Sequence, residues 1–329
     1  MTGLRPIVVD RSLRAAEVER RRRESLAAGA IDHAFHYHSA RQATLWRAVH
    51  DAHAPTPRDP SIERGYRELF AETAALVRGE DVHVVALGPG AGEKERLLLD
   101  ALRAAGCRVR YTPVDASVEL ALLSADVARG GVDHEIVPVA GDLGSMGALG
   151  AWLDRYPAGE RRVYTAIGIV PNFTPAEIFG QLRALLRDGD LCAISANLAP
   201  VAGDESDAAY AAACAATLPQ YDNPQTLEWL RAVLDDWAIA PALTPVRFDV
   251  RAVEGVLGLV ATCAWREPPR AGAELRVFFS LRYTPARFER TLEAYGLRAL
   301  AARVADSGEE GIWLAGAGDV RRGAAEGSA

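Results

Sequence analysis

The feature that most limits how this chain can fold is a run of apolar segments alternating with amphipathic ones between residues 82 and 198. "VHVVAL" (82–87), "RVRYTPVD" (108–115), "HEIVPVAGD" (134–142), "RVYTAIG" (162–168) and "DLCAISANL" (190–198) read as strands. The stretches between them, 93–105, 117–129, 145–155 and 174–186, read as helices. Strands joined through helices are too far apart in the chain for hairpins, so a parallel sheet covered by helices follows.

The flanks differ from this pattern. Residues 11–29 and 32–52 predict helices, the second carrying Phe35, Tyr37, Leu45 and Trp46. "HAPTPRDPS" (53–61) is a proline-broken linker, and 62–78 predicts a further helix. After Pro200, residues 204–237 are mostly helical, while "PVRFDVRAVEGVLGLVATCAW" and "AELRVFFSLRY" predict long antiparallel strands. A helix at 285–296 and a closing strand "GIWLAGAG" complete the pattern. The expected organisation is an α/β core, 62–199 plus 284–318, interrupted by an α+β insertion that joins the N-terminal helices in a second unit, 1–61 plus 200–283. The Gly/Ala/Glu-rich tail, 319–329, is expected to be disordered.

Charge and cysteine usage narrow the partners. The net charge of −7 offers no basic surface for nucleic acid. The one cationic cluster, Arg20 to Arg23, lies among Glu17, Glu19 and Glu24 and reads as a solvated helix face. The four cysteines have no metal or redox spacing and read as small buried residues. His33, His36 and His38 do not share a helix face, so no metal site is expected. No apolar stretch reaches spanning length. These features predict a cytoplasmic protein acting on a small molecule, with neither nucleic acid nor membrane as partner, as a monomer or weak dimer.

The chemistry is concentrated at the first strand–helix junction, "VVALGPGAGEKERLLLDAL" (84–102). A phosphate-binding loop needs Gly-Lys-Ser/Thr, whereas Lys94 stands between Glu93 and Glu95. A dinucleotide turn needs G-x-G-x-x-G, whereas the glycines here are Gly88, Gly90 and Gly92. This spacing suits a ligand without a pyrophosphate, and it equally suits a tight turn with no ligand. Asp115 ends the second strand, where a carboxylate accepts from both hydroxyls of a ribose. Asp142, followed by Leu143, ends the third, where it is placed to accept from an adenine amino group. Together the three strand ends favour S-adenosylmethionine (SAM).

At these residues the chain resembles the EgtD-like, histidine-specific N-alpha-methyltransferases. "LGPGAGEKERLLLDAL" is similar to their L-G-S-G-x-x-x-K-T-R-x-L-L-x-A-L turn, "YTPVDAS" to V-P-V-D-x-S, and "AIGIVPNFTPAEI" to G-S-x-x-G-N-F-x-P-x-E. "QYDNPQTLEWL" resembles Y-D-D-x-x-G-V-T-x-x-F, and "ELRVFFSLRYTPARFERTLEAYGL" resembles their E-x-R-T-E-I-S-x-K-F-T strand and the helix after it. "HYHSARQATLW" is a looser match to Y-D-x-x-G-S-x-L-F, and the order is kept from residue 36 to about 315.

The resemblance implies a Rossmann-like class I methyltransferase core with an inserted substrate domain. It implies that Gly88, Gly90, Gly92, Lys94, Asp115, Asp142 and Leu143 bind SAM. It places Asn172 and Tyr221 at the substrate's amino and carboxylate end, as catalytic residues, with Tyr37, Phe278 and Ser280 completing the substrate pocket. Plainer readings stand beside these: Asn172 as the cap of helix 174–186, the two tyrosines as packing residues, Ser280 as an ordinary strand residue. Neutral groups such as Asn172 and Tyr221 orient an amine without fixing it as an ammonium.

Two positions depart from the family. Its imidazole-holding Glu is Phe278 here, and its Y-Y-P-T segment reads His53, Ala54, Pro55, Thr56. Both changes remove polar recognition of histidine, and apolar walls discriminate weakly. The expected function is therefore SAM-dependent N-methylation of an amino acid or related small amine other than histidine. Two alternatives remain: cyclisation of SAM itself to azetidine-2-carboxylate and methylthioadenosine, and SAM binding without catalysis.

Overall fold

The computed structural model describes residues 6–53, 59–129, 135–145, 147–201 and 206–318. Ala54 with most of the proline linker, the start of the expected strand at 134, and the tail from 319 lie outside the described residues.

In chain order the elements are β1 (Val8–Val9), α1 (Ala15–Ala28), α2 (Ala40–His53), α3 (Pro60–Leu76), β2 (Asp81–Leu87), α4 (Glu93–Ala104), β3 (Arg108–Asp115), α5 (Val118–Val127), β4 (Val139–Ala140), α6 (Gly147–Leu153), β5 (Arg161–Ala166), α7 (Pro175–Leu185) and β6 (Leu191–Asn197). Then come α8 (Asp207–Ala216), α9 (Pro224–Asp236), β7 (Arg247–Val253), β8 (Val256–Ala264), β9 (Glu274–Leu281), α10 (Pro285–Ala294), β10 (Arg298–Val304) and β11 (Glu310–Gly316).

The main sheet runs β1-β4-β3-β2-β5-β6-β11-β10. All its pairs are parallel except those made by β11, which is antiparallel to both β6 and β10. This is the Rossmann-like α/β fold that the alternation called for. Central β2 is buried from Val82 to Leu87 because helices cover both faces of the sheet, which is why it reads as an unbroken apolar run. Apolar clusters fill the two sides, one including Ile178, Phe179 and Leu182 of α7, the other Leu69, Phe70, Leu98 and Leu102 of α3 and α4. The strand order reverses at β2, between β3 and β5, and the crevice at such a reversal is where open α/β sheets bind ligands.

Three strands differ from expectation, one of them β1, which the sequence pattern did not predict. A strand was expected across 134–142, but only Val139–Ala140 is laddered, with an isolated bridge at Ile136. Pro138 has no N–H to donate within the run. Its carbonyl instead accepts from Val8 N at 2.9 Å, and β1 covers this edge. β10 was not expected at all. "RALAARV" is alanine-rich and weak in strand formers, and it is a strand because β11 offers it an edge to pair with.

A second sheet, β7-β8-β9, is an antiparallel meander. Its first turn is Glu254–Gly255, both at positive φ (48° and 81°), the geometry a two-residue hairpin requires. The N-terminal helices pack here: Ile31 and Phe35 share a core cluster with Trp229, Leu230 and Val233 of α9 and with Ala261, Val277 and Phe278 of β8 and β9. Helix α7 opens on a capping box between Thr174 and Glu177, with Pro175 at its first position. The four cysteines are free and buried.

Candidate functional site

A cavity of about 720 Å³ opens at the carboxyl ends of β2, β3 and β5 and runs beneath α2 and α9. It lies in the upper half of the range typical of small-molecule sites. Gly88, Gly90, Gly92, Lys94, Asp115, Asp142, Leu143, Tyr37, Asn172, Tyr221 and Phe278 all line it. Of the residues expected from the sequence, Ser280 does not.

The glycine turn forms one wall. Gly88, Gly90 and Gly92 have φ of +60°, +57° and +79°, where a side chain is strained. Space excludes side chains as well. A Cβ on Gly88 would stand 2.4 Å from Ile169, one on Gly90 2.7 Å from the Trp46 ring, and one on Gly92 2.4 Å from Ser124 Oγ. Trp46 of α2 thus lies directly over the turn, with His50 stacked on its ring at 5.3 Å between centroids. Lys94, expected to bind cofactor, lines the cavity, and its Nζ donates to Glu310 Oε1 at 3.2 Å and to Tyr66 Oη at 3.3 Å, a pairing set up by the start of β11.

Asp115 is 5% exposed, and its Oδ1 accepts from Ser117 N at 2.9 Å. Burial pushes its carboxyl up to about 7, against the downward pull of the Ser117 and Gly90 backbone N–H groups. Beside it Glu95, 2% exposed, is likewise pushed up by burial to about 7 although Thr165 Oγ1 donates to it at 3.0 Å. Asp142 also lines the cavity, and its surroundings differ from expectation. Its carboxylate is ion-paired with Arg21, and its Oδ1 accepts from Gly144 N at 2.9 Å. Arg21 belongs to the cationic run of α1 and was expected in solvent. While Arg20 and Arg22 pair with neighbouring glutamates on the surface, Arg21 is buried against Phe35 and reaches Asp142.

The far end is aromatic. Phe278 stacks on Tyr221 at 6.0 Å and meets Trp229 edge-on at 5.3 Å. His33 meets Tyr37 at 4.9 Å and Phe173 at 5.1 Å. Burial holds His33 down to about 3, so its imidazole is neutral at any working pH. Burial likewise raises the Tyr37 phenol well above its ordinary range. Asn172 ends the short turn Val170–Asn172 and is held by its N–H to Ile169 O at 2.9 Å. The cap of α7 is Thr174, so Asn172 does not serve that purpose, and its Oδ1 is buried without a hydrogen-bond partner. Ser280 sits behind the wall, where its Oγ joins Tyr221 Oη at 3.1 Å, Asn197 Nδ2 at 3.3 Å and Arg282 Nη1 at 3.0 Å.

Sequence reasoning missed His33, Trp46, Trp229, Glu95 and Arg282, all on the cavity wall. Arg282 stands near the end of the segment "ELRVFFSLRY", which carries Glu274 and Arg276 as well, so its charge alone did not single it out.

Comparison with known proteins agrees with this chemistry. A sequence profile described as "Histidine-specific methyltransferase, SAM-dependent" matches residues 64–215. The chain is 29% identical over 277 residues to a Mycobacterium tuberculosis histidine N-alpha-methyltransferase, covering 76% of this chain and 79% of that protein. Among solved structures, a SAM-dependent methyltransferase from Clostridium acetobutylicum aligns at 12% identity and TM-score 0.41, covering 78% of this chain and 92% of its own. The 1,6-didemethyltoxoflavin-N1-methyltransferase of Burkholderia thailandensis, solved with S-adenosylhomocysteine, aligns at 14% identity and TM-score 0.40, over 84% and 89%. The fold stands on the strand order rather than on these distant likenesses.

Proposed function

We propose that this chain, an EgtD-like SAM-dependent methyltransferase, methylates the amine of an amino acid or related small amine other than histidine. The observation that carries the proposal is Asn172 Oδ1: an amide oxygen, buried and without a donor, at the cavity that the glycine turn and Asp115 also face. Such an oxygen is costly unless an N–H reaches it, and an acceptor amine supplies one.

The residues present suit SAM. The glycine turn lines the cavity, and Asp115 offers a buried carboxylate to a ribose. Bound there, SAM would supply a methyl carbon made electrophilic by its sulfonium, which the amine's lone pair would take as the C–S pair returns to sulfur, with S-adenosylhomocysteine as the leaving product and the amine's proton passing to bulk solvent. What the chain contributes is position and exclusion of water. Asn172 orients the amine through one N–H and leaves its lone pair uncommitted. Tyr37 and Tyr221 close the sides, the Tyr37 phenol kept neutral by burial, and Trp46 and Trp229 keep the cavity dry. Asp142 contributes to the adenine end only together with Arg21, and Lys94 through the charge it shares with Glu310. Phe278 presents a ring where a histidine acceptor needs a hydrogen-bond acceptor.

The test is an acceptor panel of L-amino acids and amines incubated with enzyme and SAM, reading S-adenosylhomocysteine release. Acceptor-dependent release that falls sharply in Asn172→Ala is expected. Methylthioadenosine formed from SAM alone would replace the proposal with intramolecular cyclisation, and SAM binding without any product would replace it with a non-catalytic role.

A further inference from the structure

Three arginines are buried among the described residues: Arg21, Arg162 and Arg282, at 6%, 2% and 2% exposed. The first two have carboxylates. Arg21 pairs with Asp142, and Arg162 Nη2 lies 3.3 Å from Asp154 Oδ1. Arg282 has none among the described residues. Its Nη1 donates to Ser280 Oγ at 3.0 Å and Leu281 O at 3.3 Å, its Nε to Thr217 Oγ1 at 3.3 Å, and its Nη2 to Gln220 Oε1 at 3.4 Å. Its guanidinium also lies 5.3 Å from the Tyr221 ring centroid. Every partner is neutral. A guanidinium has five N–H donors, and Nη2 retains one that these bonds do not use. A buried cation satisfied only by dipoles is costly, and a fork with a spare donor matches a carboxylate.

The location gives this cation a purpose. Arg282, Gln220 and Tyr221 all line the cavity that Asn172 lines. β9 packs on the turn that carries Asn172, and Ser280 Oγ ties Arg282 to Tyr221 and Asn197. One cavity is therefore lined by an asparagine whose amide oxygen lacks a donor, a cation that lacks an anion, and the aromatic rings of Phe278 and Trp229.

Resting on the reading above, we infer that Arg282 receives the carboxylate of the acceptor, which is an α-amino acid rather than a simple amine. Asn172 takes its amine and the Phe278–Trp229 wall its side chain. Ser280 is then a positioning residue that holds Arg282 and Tyr221 in register, not a substrate contact.

The test is calorimetric and needs no turnover. Enzyme saturated with S-adenosylhomocysteine is titrated with pairs of L-amino acids and their decarboxylated amines: phenylalanine and phenethylamine, tryptophan and tryptamine, leucine and isopentylamine, histidine and histamine. At least one amino acid is expected to bind about ten- to a hundredfold more tightly than its amine, the value of a charge-assisted hydrogen bond. Arg282→Met is expected to erase that preference and Arg282→Lys to keep part of it, with S-adenosylhomocysteine affinity unchanged in both. Thermal melting reports whether Arg282→Met folds. If it does not, the Arg282→Lys result and the wild-type pair preferences decide the matter. Amines binding as well as their amino acids, or neither member of any pair binding, would overturn the inference. A loss of S-adenosylhomocysteine affinity in Arg282→Met would also overturn it, assigning the guanidinium to the cofactor's own carboxylate. Binding as expected but without methyl transfer to any acceptor would leave this inference standing and sink the proposed reaction instead.

Discussion

With Asp115 as the proposed partner of the cofactor's ribose, cofactor binding is expected to depend on pH in a direction that its surroundings fix. Burial lifts its carboxyl to about 7, so near neutrality the empty site holds a mixture of acid and carboxylate. Only the carboxylate accepts from two ribose hydroxyls, so a proton and the cofactor compete. If binding needs the ionised form, the apparent Kd scales as one plus the ratio of proton concentration to acid constant. With a pKa of about 7 that factor is roughly 11 at pH 6 and 1.1 at pH 8, a tenfold gain in affinity across two units. Isothermal titration of S-adenosylhomocysteine between pH 6 and 8 reads this directly. Asp115→Asn is expected to flatten the profile and to cost about 1–3 kcal/mol at pH 8, because an amide leaves one hydroxyl donor without an acceptor. Glu95 titrates in the same range, so Glu95→Gln serves as the control and is expected to retain the slope. A flat wild-type profile, a slope of opposite sign, or an unchanged slope in Asp115→Asn would refute the assignment of Asp115 to the ribose.

Other consequences follow from the same surroundings. The Glu95 carboxyl rises from an ordinary 4.5 to about 7, so its protonated form favours the fold below about 4.5, and that advantage is lost as pH rises through 7. Glu95→Gln is therefore expected to stabilise the ligand-free protein by about 1–3 kcal/mol at pH 8 and by little at pH 5, as read by denaturant unfolding. Equal effects at the two pH values would contradict it. Gly90→Ala meets both a φ of +57° and the Trp46 ring at 2.7 Å. It is expected to cost at least about 1–2 kcal/mol in stability and to weaken S-adenosylhomocysteine binding, so unchanged binding would separate the turn from the cofactor. L-Histidine is expected to show kcat/KM at least about tenfold below that of the best acceptor, since the Phe278 ring accepts no hydrogen bond from an imidazole. Comparable values would point to neutral His33 as the group that has taken over imidazole recognition.

Features set by short-range pattern were legible in the sequence. The glycine turn, the carboxylate ending β3, and the N-F-T-P turn each depend on a strand meeting a helix, and the residues that force that junction lie within a few positions of the functional ones. The fate of Asp142 was not legible. Its partner Arg21 looks like any member of an arginine-rich surface run until α1 docks beside β4, and nothing local distinguishes it from Arg20 or Arg22. Tertiary pairing also overrode propensity at β10, where alanine-rich residues form a strand because β11 has an open edge, and at Pro138, where β4 is cut to two residues. Ser280 lies near the end of β9 and Arg282 just beyond it, and the resemblance drew attention to Ser280. A serine is cheap to bury and an arginine is not, so the cost of burial was the stronger signal.

The central claim is that SAM's methyl group leaves for an amine. Incubating the protein with SAM labelled on the methyl carbon, together with the best-binding amino acid, and following the label by mass spectrometry tests it most directly. The label is expected on the nitrogen of the amino acid, one methyl per S-adenosylhomocysteine released. Label retained in methylthioadenosine, or recovered only as unreacted SAM, would contradict it.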